Sequence, residues 1–206
     1  DAWSFVFLSE DKILYTEMPG ALKVASLDDK SIVEVKNIPE VQYVSQGGLS
    51  EVILDPNFIE NKKIYLSYSA KNSNNKSTLF LMSAELIGNE LKNNKVIFEA
   101  NAPRRTAVHM GAKIAFKQDG TLLLASGDCF DHREKAQKLD NHFGKIIRIN
   151  TDGSIPMDNP FMGVEGALDD IYSYGHRNMQ GLVVLPSGEI YEHEHGPKGG
   201  DEMNLI

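Results

Sequence analysis

The chain has 206 residues, 41% of them hydrophobic and 24% charged, which is the balance of an ordinary folded domain and excludes global disorder. Its 21 Lys and Arg against 29 Asp and Glu give a net charge of −8, which repels phosphate backbones and argues against a nucleic-acid partner. Cys129 is the only cysteine, so no intramolecular disulfide can form. No apolar run approaches the roughly 20 residues that span a bilayer as a helix.

Taken in chain order, a unit of apolar strand, polar turn and apolar strand recurs four times. Residues 5–8 and 13–15 flank a turn through Ser9, Glu10 and Asp11, and residues 52–54 and 64–68 flank Asp55-Pro56-Asn57. Residues 114–116 and 122–125 flank Lys117-Gln118-Asp119-Gly120, where Asp-Gly supplies the positive-φ residue a hairpin needs. The last copy joins 182–185 to Ile190 and Tyr191 through Pro186-Ser187-Gly188. Further β-rich runs at 21–26, 78–86, 95–98 and 145–149 bring each repeat to about four strands. Repeats of roughly 45 to 70 residues suit propeller blades with insertions better than a sandwich, whose strands lack this higher period. No helix is convincingly patterned, and 131–142 has too few apolar positions for more than a short helical turn. The expected fold is all-β, a single partial β-propeller domain over residues 1–206. Four blades would leave an open strand edge, and the sequence stops at Leu205-Ile206, so a chain truncated at its C-terminus is expected.

Gly, His, Asn and carboxylates crowd into three segments, 46–49, 109–128 and 174–204. The loops at one end of every blade converge on a propeller's axis, so the three segments are candidates for one site. His109, followed by Met110-Gly111, suits a general base reachable from a cavity, or else a strand-end imidazole bonded to a carbonyl. Arg177 and Asn178 form a compact donor pair able to hold an oxyanion or a quinone carbonyl, or else a salt bridge and a turn closure. His193-Glu194-His195, with His176 nearby in sequence, invites a zinc reading, since residues two apart on a strand share a side. No third ligand with defined spacing is visible, and the same pattern also reads as a polar blade face. The loop 196–202 is rich in glycine, which lets backbone carbonyls approach a hard cation such as calcium, or makes a plain turn.

Together these segments resemble the soluble pyrroloquinoline-quinone (PQQ)-dependent aldose sugar dehydrogenases of the glucose/sorbosone dehydrogenase family. Gln46-Gly47-Gly48-Leu49 with Leu54-Asp55-Pro56-Asn57-Phe58 is similar to the first family signature. His109-Met110-Gly111 through Asp119-Gly120-Thr121-Leu122 to Gly127-Asp128, then His142-Phe143-Gly144-Lys145, is similar to the second. The fullest match is Tyr174-Gly175-His176-Arg177-Asn178, then Glu194-His195-Gly196-Pro197 and Gly200-Asp201-Glu202-Met203-Asn204.

The resemblance implies a six-bladed β-propeller of which about the first four blades are present. It also implies oxidation of aldoses at the anomeric carbon to lactones, with PQQ and Ca2+ as cofactors. In that scheme His109 is the base that takes the anomeric proton while hydride passes to the quinone, and Arg177 stabilises charge building on the quinone oxygen. Gln46, Arg177 and Asn178 contact the cofactor. Gly196 and Pro197 give backbone carbonyls to the active-site calcium, and Glu202 is a ligand of a further, structural calcium. Val108 replaces the acid that glucose-specific members carry beside the base, which points to the broad-range aldose enzymes. Met179 stands where a Pro commonly follows the Arg-Asn pair, implying a looser turn, and the basic partners of the PQQ carboxylates lie in the family's later blades, beyond Ile206. The implied partners are an aldose and an unidentified electron acceptor, with a homodimer open and the location periplasmic or secreted. A metal-dependent lactonase or a non-catalytic binding propeller are the alternatives.

Overall fold

The structure, a computed structural model, describes residues 2–206. Its strands form four antiparallel sheets, each a meander in which sequence neighbours pair. The first sheet holds β1 (Ala2–Ser9), β2 (Lys12–Glu17), β3 (Ala21–Ser26) and β4 (Ile32–Glu34), and the second β5 (Leu49–Leu54), β6 (Lys63–Lys71), β7 (Ser77–Ile87) and β8 (Glu90–Glu99). The third holds β9 (Gly111–Phe116), β10 (Leu122–Ser126), β11 (Lys145–Ile149) and β12 (Ile171–Tyr174). The fourth has three strands, β13 (Met179–Val184), β14 (Ile190–Glu194) and β15 (Glu202–Leu205). Each hairpin expected from the sequence supplies the first two strands of one sheet.

The first strands of successive sheets touch, β1 on β5, β5 on β9 and β9 on β13, so the sheets fan about the axis those strands line. This is a four-blade propeller arrangement. What holds it is alternation within strands covered on both faces. On β10, Leu122 and Leu124 enter a core shared with Tyr65, Leu79 and Leu81 of the second sheet, while Leu123 and Ala125 enter the next core with Met179 and Ile190. On β7, Leu79 and Leu81 take one side while Phe80 and Met82 take the other, against Leu14 and Leu22 of the first sheet. The outward faces of the first and last sheets have no such cover, and Phe5, Phe7, Val183 and Leu205 are exposed there.

Helical structure is slight, as expected. A four-residue helix α1 (Phe58–Asn61) extends the turn at Asp55, whose carboxylate accepts from the Asn57 amide and from Asn61 Nδ2. The turn expected within 131–142 is a 3-10 segment at Arg133–Gln137 that buries only Ala136. Strands β4, β12 and β15 carried no clear signal. The first is three residues long and exposed, and the last follows directly on the loop at Gly196.

Candidate active site

In an antiparallel hairpin the start of the first strand and the end of the second lie at the same end. That rule assembles the site. Gln46 lies just before β5, His109 just before β9, and Arg177 and Asn178 just before β13, while Gly127-Asp128 follows β10 and His195-Gly196-Pro197 follows β14. Since β5, β9 and β13 line the axis, all these residues meet at one end of it.

Direct hydrogen bonds tie the three segments together. Gln46 Oε1 accepts from the His109 amide at 2.7 Å, and the Gln46 amide donates to the Ala107 carbonyl at 2.8 Å. The Asp128 amide donates to the Arg177 carbonyl at 2.8 Å. Gly127 lies between them so tightly that a Cβ there would come within 2.0 Å of the His109 carbonyl oxygen and 2.9 Å of the Arg177 one. We expect Gly127→Ala to cost about 3 kcal/mol or more of stability, because overpacked sites with no room to relax lose on this scale and the clash here is with backbone. Urea denaturation checks this, and a midpoint within error of the parent's would show that the two segments are not clamped together.

His109 is 8% exposed. Its Nδ1 lies 2.7 Å from Asp128 Oδ1, and the same oxygen accepts from the Phe130 amide at 2.8 Å. Of the two readings open for this histidine, the carbonyl-bonded one is therefore not the one observed. A carboxylate on Nδ1 selects the tautomer with a proton there, which leaves Nε2 as the basic nitrogen. The Phe130 ring stands edge-on to the imidazole, with centroids 5.5 Å apart. The His109 backbone has φ +46°, a left-handed conformation that a residue with a Cβ adopts at a cost, and it turns the side chain out of line with β9.

Arg177 makes no salt bridge among the described residues; its Nη1 donates to the His195 carbonyl at 2.6 Å, linking β13's entry to the loop after β14. Asn178 is buried, and its Oδ1 accepts from Gln180 Nε2 at 2.9 Å. Met179 is fully buried in the core between the third and fourth sheets. Gly196 donates its amide to Asp201 Oδ1 at 3.0 Å, and the Pro197 carbonyl accepts from the Gly200 amide at 3.1 Å, so the loop folds into a 3-10 turn. Glu202 is exposed on β15, in register with Glu194.

Two cavities open at this end. One of about 190 Å3 touches Gln46, Met110, Asn178 and His195; the other, about 220 Å3, touches Asp128, Phe130, Arg177 and Pro197. A larger cavity of about 380 Å3 beside Glu40, Gln42 and Lys71 touches none of the expected site residues. The His-x-His pair does not gather with His176. His193 and His195 are exposed, and the His193 ring lies over Gly181 on the opposite face of β14 from Glu192 and Glu194.

Sequence reasoning gave no role to two residues that shape this site. Asp128 stood in the second signature without an assigned partner, and its position after a buried strand was the available signal. Arg104 had none: it is 1% exposed in an irregular segment, and its guanidinium donates to carbonyls of Ala102, Val108, His109 and Gly127.

A fanned β-propeller with a histidine, carboxylate, guanidinium and amide cluster at its axial end defines the class, and comparison with known proteins narrows it. The family described as Glucose / Sorbosone dehydrogenase matches residues 1–206, and the chain belongs to that family. The aldose sugar dehydrogenase of Escherichia coli (strain K12) is 33% identical over 98% of this chain and 56% of its own length. Quinoprotein glucose dehydrogenase B of Acinetobacter calcoaceticus is 29% identical, over 96% of this chain and 46% of its own. A crystal structure of a glucose dehydrogenase superposes with a TM-score of 0.94 at 38% identity, covering 99% of this chain and 60% of that one. The chain thus spans about half the length of the curated relatives it matches.

Proposed function

We propose that the protein to which this chain belongs oxidises aldoses at the anomeric carbon to lactones, with PQQ as electron acceptor and Ca2+ beside it. The observation that carries the reading is the His109–Asp128 pair, hydrogen-bonded through its own backbone to Gln46 and through Asp128 to the Arg177 segment. The names of the relatives, an aldose sugar dehydrogenase and a quinoprotein glucose dehydrogenase, support it.

The residues fit such a group in their chemistry. A guanidinium and two carboxamides, from Arg177, Asn178 and Gln46, suit the carbonyl and carboxylate oxygens of an anionic quinone. The turn at Gly196 and Pro197 can offer backbone carbonyl oxygens, the hard donors calcium takes. When bound, PQQ with calcium supplies a two-electron acceptor for the hydride that leaves the anomeric carbon.

The chain's own residues do the rest. His109 takes the proton of the anomeric hydroxyl on Nε2 as the C1–H bond breaks, and the C1–O bond becomes the lactone carbonyl. Asp128 holds the imidazole in that tautomer and stabilises the imidazolium that results. Arg177, with Nη1 held on the His195 carbonyl, places positive charge where negative charge develops. Val108 is partly buried against the core beside His109 and presents no acid to the sugar, in keeping with a broad aldose range. Glu202, exposed on β15, would serve a further calcium in the same reading, which also carries a periplasmic or secreted location. No helix among the described residues is long and apolar enough to cross a membrane.

The test is titration of PQQ into the protein with calcium present, followed by an aldose. Binding and then sugar-dependent bleaching of the quinone absorbance is the expected result. Quinone binding with no bleaching by any aldose would remove sugar oxidation from the reading.

A further inference from the structure

Next to the axial cavity of about 220 Å3, which His176 also lines, the inner face of β14 carries acids where its neighbours carry core residues. Ile190, Glu192 and Glu194 alternate along that face, and Ile190 enters the core against the third sheet. Glu192 is 1% exposed; its Oε1 accepts from Asn204 Nδ2 at 2.6 Å, while its Oε2 is buried and has no hydrogen-bond partner. Glu194 is also buried, and its Oε2 accepts from the Arg177 amide. His176, from the turn between β12 and β13, completes the group, and one ligand atom from each of the three lies within 4.8 Å of the other two.

Two carboxylates and an imidazole this deep need a positive charge between them, because desolvating uncompensated charge is costly. Hydrogen bonding does not supply it. His176 Nδ1 is 3.6 Å from Glu192 Oε1, too far for a hydrogen bond. The other ring nitrogen, Nε2, is 2.9 Å from Ser173 Oγ. In the tautomer whose Nε2 proton goes to Ser173 Oγ, the Nδ1 lone pair faces the glutamates, the arrangement in which the imidazole can ligate a cation there. Ligands held about 2.0–2.1 Å from a tetrahedral ion are roughly 3.3 Å apart, and the His176 Nδ1 to Glu192 Oε1 distance of 3.6 Å is near that value.

We propose that His176, Glu192 and Glu194 form a buried site for one divalent ion of the zinc class, distinct from the calcium positions assigned to Gly196, Pro197 and Glu202. An imidazole with two carboxylates favours zinc over calcium, which takes oxygen ligands in larger number. Ser173 is the outer partner that orients the ligating histidine, as metal-bound imidazoles require. The ion clamps the turn carrying Arg177 onto β14, since Glu194 already holds the Arg177 amide. The test of the site does not use activity.

The protein is stripped with a chelator, and Zn2+ alone is titrated while bound metal is counted by mass spectrometry and the melting temperature is followed. One zinc per chain and a raised melting temperature are expected. Glu192→Gln should weaken zinc binding about 100-fold or more, as loss of a direct ligand exceeds the 10–100-fold cost of losing an outer one. The same variant, relieved of a buried charge, should melt at or above the stripped parent's temperature without metal, so the two effects have opposite signs and misfolding cannot imitate them. His193→Asn should leave zinc binding unchanged. The proposal is overturned if the parent holds no zinc after dialysis, if Glu192→Gln binds zinc as the parent does, or if Ca2+ alone gives the stabilisation that Glu192→Gln abolishes.

Discussion

Replacing His109 with Gln lowers sugar-dependent dye reduction by about 10²–10⁴-fold, the usual share of a positioned general base, with PQQ and calcium saturating. Gln retains hydrogen-bonding groups of similar reach but cannot accept a proton, so the loss falls on kcat and not on cofactor affinity. Asp128→Asn probes the same step from behind. Asp128 Oδ1 accepts at 2.7 Å from His109 Nδ1 and also from the Phe130 amide, so Asn keeps both contacts with its carbonyl oxygen in that place and turns a donor to both with its NH2 there. If it presents the donor, it selects the wrong tautomer and leaves Nε2 protonated; a comparable change in serine proteases costs about 10⁴-fold in kcat. An Asp128→Asn loss approaching that of His109→Gln, with KM for the sugar little changed, marks the pair as one acid–base unit. Full turnover in His109→Gln would sink the base assignment, whatever happens at Asp128.

The residues that cluster at the axis were legible because propellers impose a rule the sequence displays. Site residues fall just before the first strand or just after the second, and the four hairpins locate those strands. The segments carrying Gln46, His109, Arg177 and Asn178 could be placed near one another from their composition and the convergence of blade loops on the axis. The zinc reading went astray for the same reason it was attractive. Alternation on β14 does put His193 and His195 on one side, but the strand's buried side carries Glu192 and Glu194, and His176 reaches that side from the preceding turn. No local pattern says which face of an edge sheet is covered, because this depends on the neighbouring sheet. The packing of Met179 against Leu123, Ala125 and Ile146 was hidden for the same reason, since it depends on the third sheet. Arg104 was invisible because its function lies wholly in backbone acceptors, which sequence does not encode.

Arg104→Met should cost about 3 kcal/mol or more of stability, because it strands several buried carbonyls at about 1–3 kcal/mol each. The guanidinium is 1% exposed and meets no carboxylate directly. Nε donates to the Ala102 carbonyl, Nη1 to those of Val108 and His109, and Nη2 to Ser126 Oγ and the Gly127 carbonyl. Burial lowers its pKa to about 10, which still leaves it charged at neutral pH. Replacing a buried ion pair by apolar groups is often harmless, but that requires removing both partners, and here the acceptors are main-chain carbonyls that no substitution removes. Each one left dry costs about 1–3 kcal/mol, so even partial entry of water leaves a large loss. Arg104→Lys should rescue little, since one ammonium on a flexible stem cannot match a planar fork that reaches from Ala102 to Gly127. Urea unfolding with an unchanged slope gives the measurement, and a loss below about 0.5 kcal/mol, the range of ordinary surface substitutions, would show that the carbonyls find other donors. The consequence for the site follows from what is held. His109 sits at φ +46°, with its amide fixed by Gln46 Oε1 and its carbonyl by Arg104 Nη1 at 2.9 Å. Releasing the carbonyl end lets that strained residue relax toward β9's own direction and carries the imidazole away from Asp128. Arg104→Lys should therefore lower kcat by a larger factor than it raises the KM for sugar, at temperatures where the protein is still folded.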